Sequence, residues 1–334
     1  MGRFSIFTAA MTEKLQEYKT FLDAAVEEHV FQEEPIELFE PINYILALRG
    51  KRLRPIITLM ACDLFSNDYH VALKPALAME FFHNFTLMHD DIMDSATMRR
   101  GKSTVHRKFG VNAAILSGDA LLIKSYQYFE DVPEHFFKPL VVLFSETGML
   151  ICKGQQMDMN FESRSDVTEE EYMEMIFYKT GALTAGAFKI GALLGNASAE
   201  DAEHMYEFGK NLGIAFQLKD DLLDVYGDKA AVGKKIAGDI LENKKTILYI
   251  EAMKLANEQQ KDELLFWYSK STDNVDKIYA VTAIFDKLDV DKKISQKIEK
   301  YTILAKKSLE NVSGNVKSKD LLYSFSDYLI GRTS

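Results

Sequence analysis

AEHMYEFGKNLGIAFQLKDDLLDVYG, residues 202–227, reads as one long helix: it has no proline, and its apolar residues recur at helical rather than alternating spacing. It ends in the acidic pentad DDLLD (220–224). On a helix Asp220 and Asp224 are four apart and share a face, and Asp221 and Asp224 are three apart. The pattern occurs once more, 130 residues earlier, as DDIMD (90–94), and each copy follows an apolar run, FFHNFTLMH or GIAFQL. Three carboxylates so close repel one another, so a positive partner is required.

The rest of the chain reads the same way. Of 334 residues, 47% are hydrophobic and only 6 are proline, which favours long helices around a sizeable core. Leu15, Tyr18, Leu22 and Val26 share a helical face within 13–30, and Ile115, Leu116, Leu122 and Tyr126 within 112–129. Residues 292–312 form an amphipathic helix with a basic outer face. Joints fall at 49–55, 99–104, 195–201 and 227–239, none long enough for a flexible linker. No Asn-Gly hairpin pair occurs and strand signals are weak. The expectation is a single all-α domain over 1–334, a bundle of about ten helices by length.

A net charge of −10 excludes a non-specific nucleic-acid binder. Cys62 and Cys152 show no CxxC and no disulfide framework, no uncharged stretch reaches the ~20 apolar residues of a membrane span, and the N-terminus lacks a signal-peptide pattern. A cytoplasmic protein without a stable membrane anchor is expected.

The acidic pentads present oxygen ligands, which suit a hard cation. Mg²⁺ is typically held by one or two carboxylates together with substrate phosphates and water. A solvated acidic face explains one such pentad; two, each behind an apolar run, favour metal. Basic residues gather nearby: Arg49, Lys51, Arg52 and Arg54 in RGKRLRP, then Arg99, Arg100, Lys102, Arg107 and Lys108 after the first pentad. Arginine pairs bidentately with phosphate oxygens and lysine acts as a movable charge. In YKTGAL (178–183), Gly181 inside a helical pattern either kinks the helix to turn Lys179 and Thr180 towards a cavity or marks close helix packing.

Taken in order, GKRLRP, HDDIMD with RRG, GQxxD (154–158), KT, FQxxDDLLD and GKxxxGDxxxxK (233–244) resemble the trans-isoprenyl diphosphate synthases of the polyprenyl synthetase family over roughly residues 41–250. The resemblance implies an all-α fold around a deep cavity, usually a homodimer. It implies Mg²⁺-dependent condensation of isopentenyl diphosphate with an allylic diphosphate, using several ions, with Mn²⁺ as a substitute. On that basis Asp90, Asp94 and Asp220 are direct metal ligands, supported by Asp91, Asp221 and Asp224. Arg99, Lys179, Lys234 and Lys244, with Thr180 and Gln217 beside them, are ligands of the allylic diphosphate; Lys235 competes with Lys234 for that role. Lys51, Arg54, His83 and Arg100 form the isopentenyl diphosphate pocket. Asp90, Asp220, Arg99 and Lys179 carry the catalytic charge stabilisation. Near the end of the sequence, IGRTS carries a single basic residue, Arg332.

In this family a bulky residue five places before the first aspartate acts as a floor for the growing chain. Here it is Phe85, with Phe82 one turn behind and the smaller Thr86 beside it. A short-chain product is expected, twenty carbons ahead of fifteen or of a longer chain; otherwise Phe85 is only a core aromatic. A terpene cyclase is disfavoured because the second acidic site is DDLLD and GKRLRP is present. A non-catalytic subunit of a heteromer is disfavoured by the intact acid and base set.

Overall fold

The computed structural model describes residues 2–332 except 29, 49, 67, 228–236, 271 and 273, and of residues 2–10 the backbone alone. Arg49, Lys234 and Lys235 therefore lie outside the described residues. The chain is all-α, as expected, and forms two compact units.

Unit 1 comprises Met1–Ser145, Gly186–Met205 and Ser313–Ser324. It contains α1 (Gly2–Glu28), α2 (Ile36–Ala47), α3 (Leu53–Phe65), α4 (Leu73–Met93), α5 (Val105–Phe109), α6 (Val111–Gln127) and the start of α7 (Glu134–Glu162). Pro55 is accommodated because it falls in the first turn of α3, where its missing N–H is not needed. Along α4, Ala76, Leu77, Ala78, Met79 and Phe81 are fully buried, so this helix is enclosed nearly all round up to its acidic end.

Helix α6 corrects an expectation. Its buried residues are Ala114, Ser117, Gly118, Leu121 and Ser125, whereas Ile115 and Leu116 are 42% and 61% exposed. Small side chains let α6 approach α4 closely: a β-carbon on Gly118 would come 2.4 Å from Nε2 of His89. Sorting by hydrophobicity chose the larger residues, but close helix packing selected the smaller ones.

The 99–104 joint is a hairpin in which Met98–Arg99 pairs antiparallel with Lys102–Ser103. Its two central residues, Arg100 and Gly101, have φ of 52° and 75°, the primed-turn geometry that matches strand twist.

Unit 2 comprises Glu146–Ala185, Tyr206–Val312 and Phe325–Ser334. It takes the rest of α7, then α8 (Glu169–Ile176), with α9 (Ala182–Leu194) and α10 (Ala199–Tyr226) each shared with unit 1. There follow α11 (Gly238–Leu241), α12 (Ile247–Leu255), α13 (Glu258–Tyr268), α14 (Val275–Lys287), α15 (Val290–Glu310) and the end of α16 (Val316–Gly331). Capping boxes start α8 (Thr168 with Glu171) and α13 (Asn257 with Gln260), each satisfying two otherwise orphaned N–H groups. In α15, Val290, Ile294, Ile298, Ala305 and Leu309 face the core, as the amphipathic pattern requires. Shorter joints and shorter helices than assumed account for more than the expected ten helices. Among the described residues, α7 is the one helix long and apolar enough to cross a membrane by length and composition.

Candidate active site

The first pentad ends α4. Asp94 is the residue that closes the helix, its N–H donating to the Asp90 carbonyl at 2.8 Å. Asp90 is half-buried and Asp94 exposed, but Asp91 is 1% exposed and faces inward. Its carboxylate accepts a fork from Arg99: Nε to Oδ1 at 2.9 Å and to Oδ2 at 2.8 Å, and Nη2 to Oδ1 at 2.6 Å. Asp91, expected to support Asp90 and Asp94, here holds the arginine that follows the pentad. The hairpin returns Arg99 to the end of α4, which explains why a tight turn sits there.

Beside this, Arg54 Nη1 lies 3.4 Å from His83 Nε2. Burial, and then the charges of Arg54, Arg100 and Arg99, hold the His83 imidazolium well below its usual pKa, so the ring is neutral near pH 7. Arg100 donates to the Leu48 carbonyl at 2.5 Å, and its guanidinium lies over Gly50, where a β-carbon would come within 2.7 Å. Glycine in GKRLRP thus leaves room for the Arg100 guanidinium. Lys51 is exposed and Arg54 half-buried. Arg52 departs from the basic knot: it is 5% exposed and donates to Glu80 at 2.5 Å and to the Leu46 carbonyl at 3.0 Å. Lys102 and Arg107 are surface residues, and Lys108 covers the Tyr44 ring at 3.9 Å.

Phe85 meets Phe82 edge-to-face at 5.5 Å, and Phe82 meets Phe144 at 5.1 Å. His89 steadies Phe85 from the other side, with ring centroids 4.9 Å apart, and its Nε2 lies 3.1 Å from the Ile115 carbonyl. Thr86 turns its hydroxyl back to the His83 carbonyl at 2.8 Å.

The second pentad lies near the end of α10. Asp221 is 4% exposed and is bonded by neutral donors, the Tyr172 hydroxyl at 2.5 Å and Gln217 Nε2 at 2.9 Å. Burial, reinforced by the charge of Asp239, pushes the Asp221 carboxyl up to about 8. Asp224 accepts from the Asp239 N–H at 3.0 Å and so anchors the start of α11. Asp220 is half-buried and ion-paired with Arg332, whose guanidinium also sits 3.9 Å from the Phe216 ring centre.

A cavity of about 120 Å³ in unit 2 is lined by Asp158, Tyr172, Lys179, Thr180, Gln217, Asp221, Asp239 and Lys244 among others. Residues 177–181 form a π-helical turn, a distortion frequent at functional sites, and Lys179 and Thr180 sit on it. Lys179 donates to Asp158 at 2.5 Å and Thr180 to Gln217 Oε1 at 3.0 Å. Both readings of Gly181 hold: the helix is distorted there, and Gly213 packs so close that a β-carbon on it would lie 2.7 Å from Gly181 Cα. Gly154 of the GQxxD motif gives the π turn its room, since a β-carbon there would lie 2.3 Å from the Lys179 backbone nitrogen. Lys244 pairs with Glu242 at 3.1 Å.

Three contributors were not assigned from the sequence. Asp158 and Asp239 stood inside quoted motifs; Tyr172 had no signal at all. Gln155 is 8% exposed, and neither of its amide atoms has a hydrogen-bond partner among the described residues. No group of three or more His, Cys, Asp or Glu side chains able to hold a metal by themselves is present among the described residues. The donors that face outward from the pentads are all carboxylate oxygens. That set suits Mg²⁺, which takes one or two carboxylates and completes its octahedron with phosphate and water.

All-α architecture, acidic helix ends and a cavity rimmed by lysine, threonine and glutamine define an enzyme of diphosphate chemistry. The model of the family described as polyprenyl synthetase matches residues 35–285, and the chain belongs to that family. It is a prenyltransferase of the short-chain trans-isoprenyl diphosphate synthase type. A geranylgeranyl diphosphate synthase of Methanosarcina mazei is 36% identical over 325 residues, covering 96% of this chain and 98% of that protein. A geranylfarnesyl diphosphate synthase of Natronomonas pharaonis is also 36% identical, over 256 residues, covering 71% of this chain and 75% of that protein. Among solved structures, a geranylgeranyl pyrophosphate synthase superposes with a TM-score of 0.92 at 42% identity, covering 96% of this chain and 99% of the other.

Proposed function

We propose that this enzyme condenses isopentenyl diphosphate with a dimethylallyl, geranyl or farnesyl diphosphate and that its main product is geranylgeranyl diphosphate. The observation that carries the reading is the convergence of Lys179, Thr180, Gln217 and Lys244 on the cavity beside the second pentad. Fixed cations there meet the charge that develops on the departing diphosphate as the allylic C–O bond ionises. Arg99, fixed by Asp91, adds a guanidinium suited to phosphate oxygens. The outward carboxylates of each pentad, Asp90 and Asp94 in one and Asp220 in the other, are assigned as Mg²⁺ ligands, with Mn²⁺ as a substitute. Bound Mg²⁺ supplies Lewis-acid neutralisation of the diphosphate oxygens.

Lys51, Arg54, Arg100 and a neutral His83 are assigned to isopentenyl diphosphate, which is held so that its double bond attacks the allylic cation. The proton lost in the final step is assigned to the released diphosphate. Phe85, backed by Phe82 and Phe144, is the floor that favours a twenty-carbon product. The geranylfarnesyl relative, equally identical though over a shorter span, keeps a twenty-five-carbon product as the second reading.

We also propose a homodimer formed through the outward face of α6, where Val111, Ile115, Leu116 and Ile123 are each more than two-fifths exposed. The free thiols of Cys62 and Cys152 support a reducing, cytoplasmic setting.

The test is incubation of the purified enzyme with Mg²⁺, labelled isopentenyl diphosphate and each allylic primer, followed by product analysis. A geranylgeranyl main product is expected. A forty-carbon main product would sink the floor assignment, and absence of condensation would sink the function.

A further inference from the structure

Lys277, on α14, has no exposed surface, and none of the chemical steps above uses it. Its ammonium meets three acceptors: the Leu241 carbonyl at 3.3 Å, Asn243 Oδ1 at 2.5 Å and the Lys270 carbonyl at 3.1 Å. A lysine ammonium has three protons, so the set is complete. No carboxylate lies within ion-pair distance of it among the described residues. The compensation comes from carbonyls at the end of α11 and just past the end of α13, and from the Tyr268 ring 5.6 Å away. Burial holds the ammonium below the usual lysine pKa. A buried charge satisfied only by neutral acceptors costs free energy that an apolar side chain of similar volume avoids.

The segment it holds leads into the site. Asn243 adopts the left-handed conformation at φ 61° and donates to the Lys270 carbonyl at 3.2 Å, so both ends of its amide are engaged. The next residue is Lys244, whose N–H donates to the Asp239 carbonyl at 2.9 Å and whose side chain lines the cavity with Lys179 and Asp221. Asp239 in turn is tied to Asp224. The turn that carries Lys244 is thus pinned from behind by one buried cation.

We propose that Lys277 is a positioning residue for the prenyl transfer: its ammonium clamps the Leu241–Asn243 turn and so fixes Lys244 against the allylic diphosphate. This rests on the reading of Lys244 as a ligand of that diphosphate.

Steady-state kinetics of the full-length enzyme with Mg²⁺, varying each substrate in turn, test it with Lys277→Met, Lys244→Gln and the double variant. Lys244→Gln is expected to raise KM for the allylic substrate on the order of 10- to 100-fold, the scale of a lost charged contact. Lys277→Met is expected to raise the same KM by about 5- to 10-fold and leave KM for isopentenyl diphosphate unchanged. The double variant is expected to match Lys244→Gln alone, because residues acting through one contact are not additive. If Lys244→Gln raises the allylic KM and Lys277→Met only lowers the melting temperature, or if the two effects multiply, the positioning role is overturned. If Lys244→Gln leaves the allylic KM unchanged, the ligand assignment fails instead, and the single variant shows it. Should Lys277→Met not fold, Asn243→Gly deletes the Oδ1 acceptor while allowing the positive φ. A rise of about 2- to 5-fold in the allylic KM alone supports the clamp, and a wild-type value overturns it.

Discussion

The two acidic pentads share a pattern and solve its electrostatics in opposite ways. In each, the second aspartate turns inward while the outer ones stay accessible. Asp91 is matched by a guanidinium, that of Arg99; Asp221 is matched by a phenol and an amide. The first solution fixes an arginine at the end of α4 through a forked contact. The second leaves a carboxyl whose pKa is pushed up to about 8, tied to Gln217 and through it to Thr180. A repeated motif therefore does not mean a repeated site. The neighbours decide what the same residue does.

The comparison breaks most sharply at the outer carboxylates. Asp90→Ala and Asp220→Ala are each expected to lower kcat/KM on the order of 10³-fold, the several kcal/mol a metal-held charge contributes. Activity in a Mg²⁺ titration checks this, and a pentad that tolerates its substitution would not be a metal site.

Next come the inner partners. Arg99→Gln strands a buried carboxylate and is expected to destabilise the protein by about 3 kcal/mol. Tyr172→Phe removes one neutral donor and is expected to cost about 1 kcal/mol. Urea unfolding without metal ranks the two, and equal losses would erase the distinction drawn between the pentads.

The raised Asp221 pKa gives a third, smaller effect. Between the unfolded carboxyl value near 4 and about 8, the folded state keeps a proton that the unfolded state has lost. Stability of the metal-free protein therefore falls as pH rises through that window, with a slope approaching about 1.4 kcal/mol per pH unit. Asp221→Asn should flatten it. His83 acts in the opposite sense, since its folded pKa is lowered: below the unfolded value near 6.5 the unfolded state binds the extra proton, and stability falls as pH drops. Unfolding of wild type, Asp221→Asn and His83→Gln across pH 4–9 separates the two slopes.

The smallest energetic change is expected at the runs before the pentads. Phe85→Ala should lengthen the product by one or more five-carbon units, whereas Phe216→Ala, before the second pentad, should leave length unchanged. Chromatography of the products decides, and unchanged length in Phe85→Ala would remove that residue as the floor.

Most of the fold was legible because helical spacing of apolar residues repeats along the chain. α6 was misread because a face made of alanine, serine and glycine carries no hydrophobic signal, although it packs closest. The hairpin at Arg100 was missed because its positive φ falls on an arginine rather than on asparagine. Within the basic knot, charge alone could not show that Arg52 turns inward to Glu80 while Lys51 turns out. The acid and base residues of the site stood in motifs, but the partners that orient them were spread over long separations. Tyr172 reaches Asp221 from 49 positions away, and Lys277 reaches Leu241 from 36. Such pairings exist only once the chain has folded.

The π turn at Phe177–Gly181 has a consequence for insertions and deletions. Its hydrogen bonds close over one more residue than those of an α-helix. Deleting a single residue there would restore an uninterrupted α-helix and leave both flanks close to their present phase, because the wide turn absorbs its extra residue. Such a change need not unfold the protein, yet it would redirect Lys179 and Thr180, which sit on the turn, away from Asp158 and Gln217. Loss of one residue at this point would spare the helix packing and alter the cavity lining.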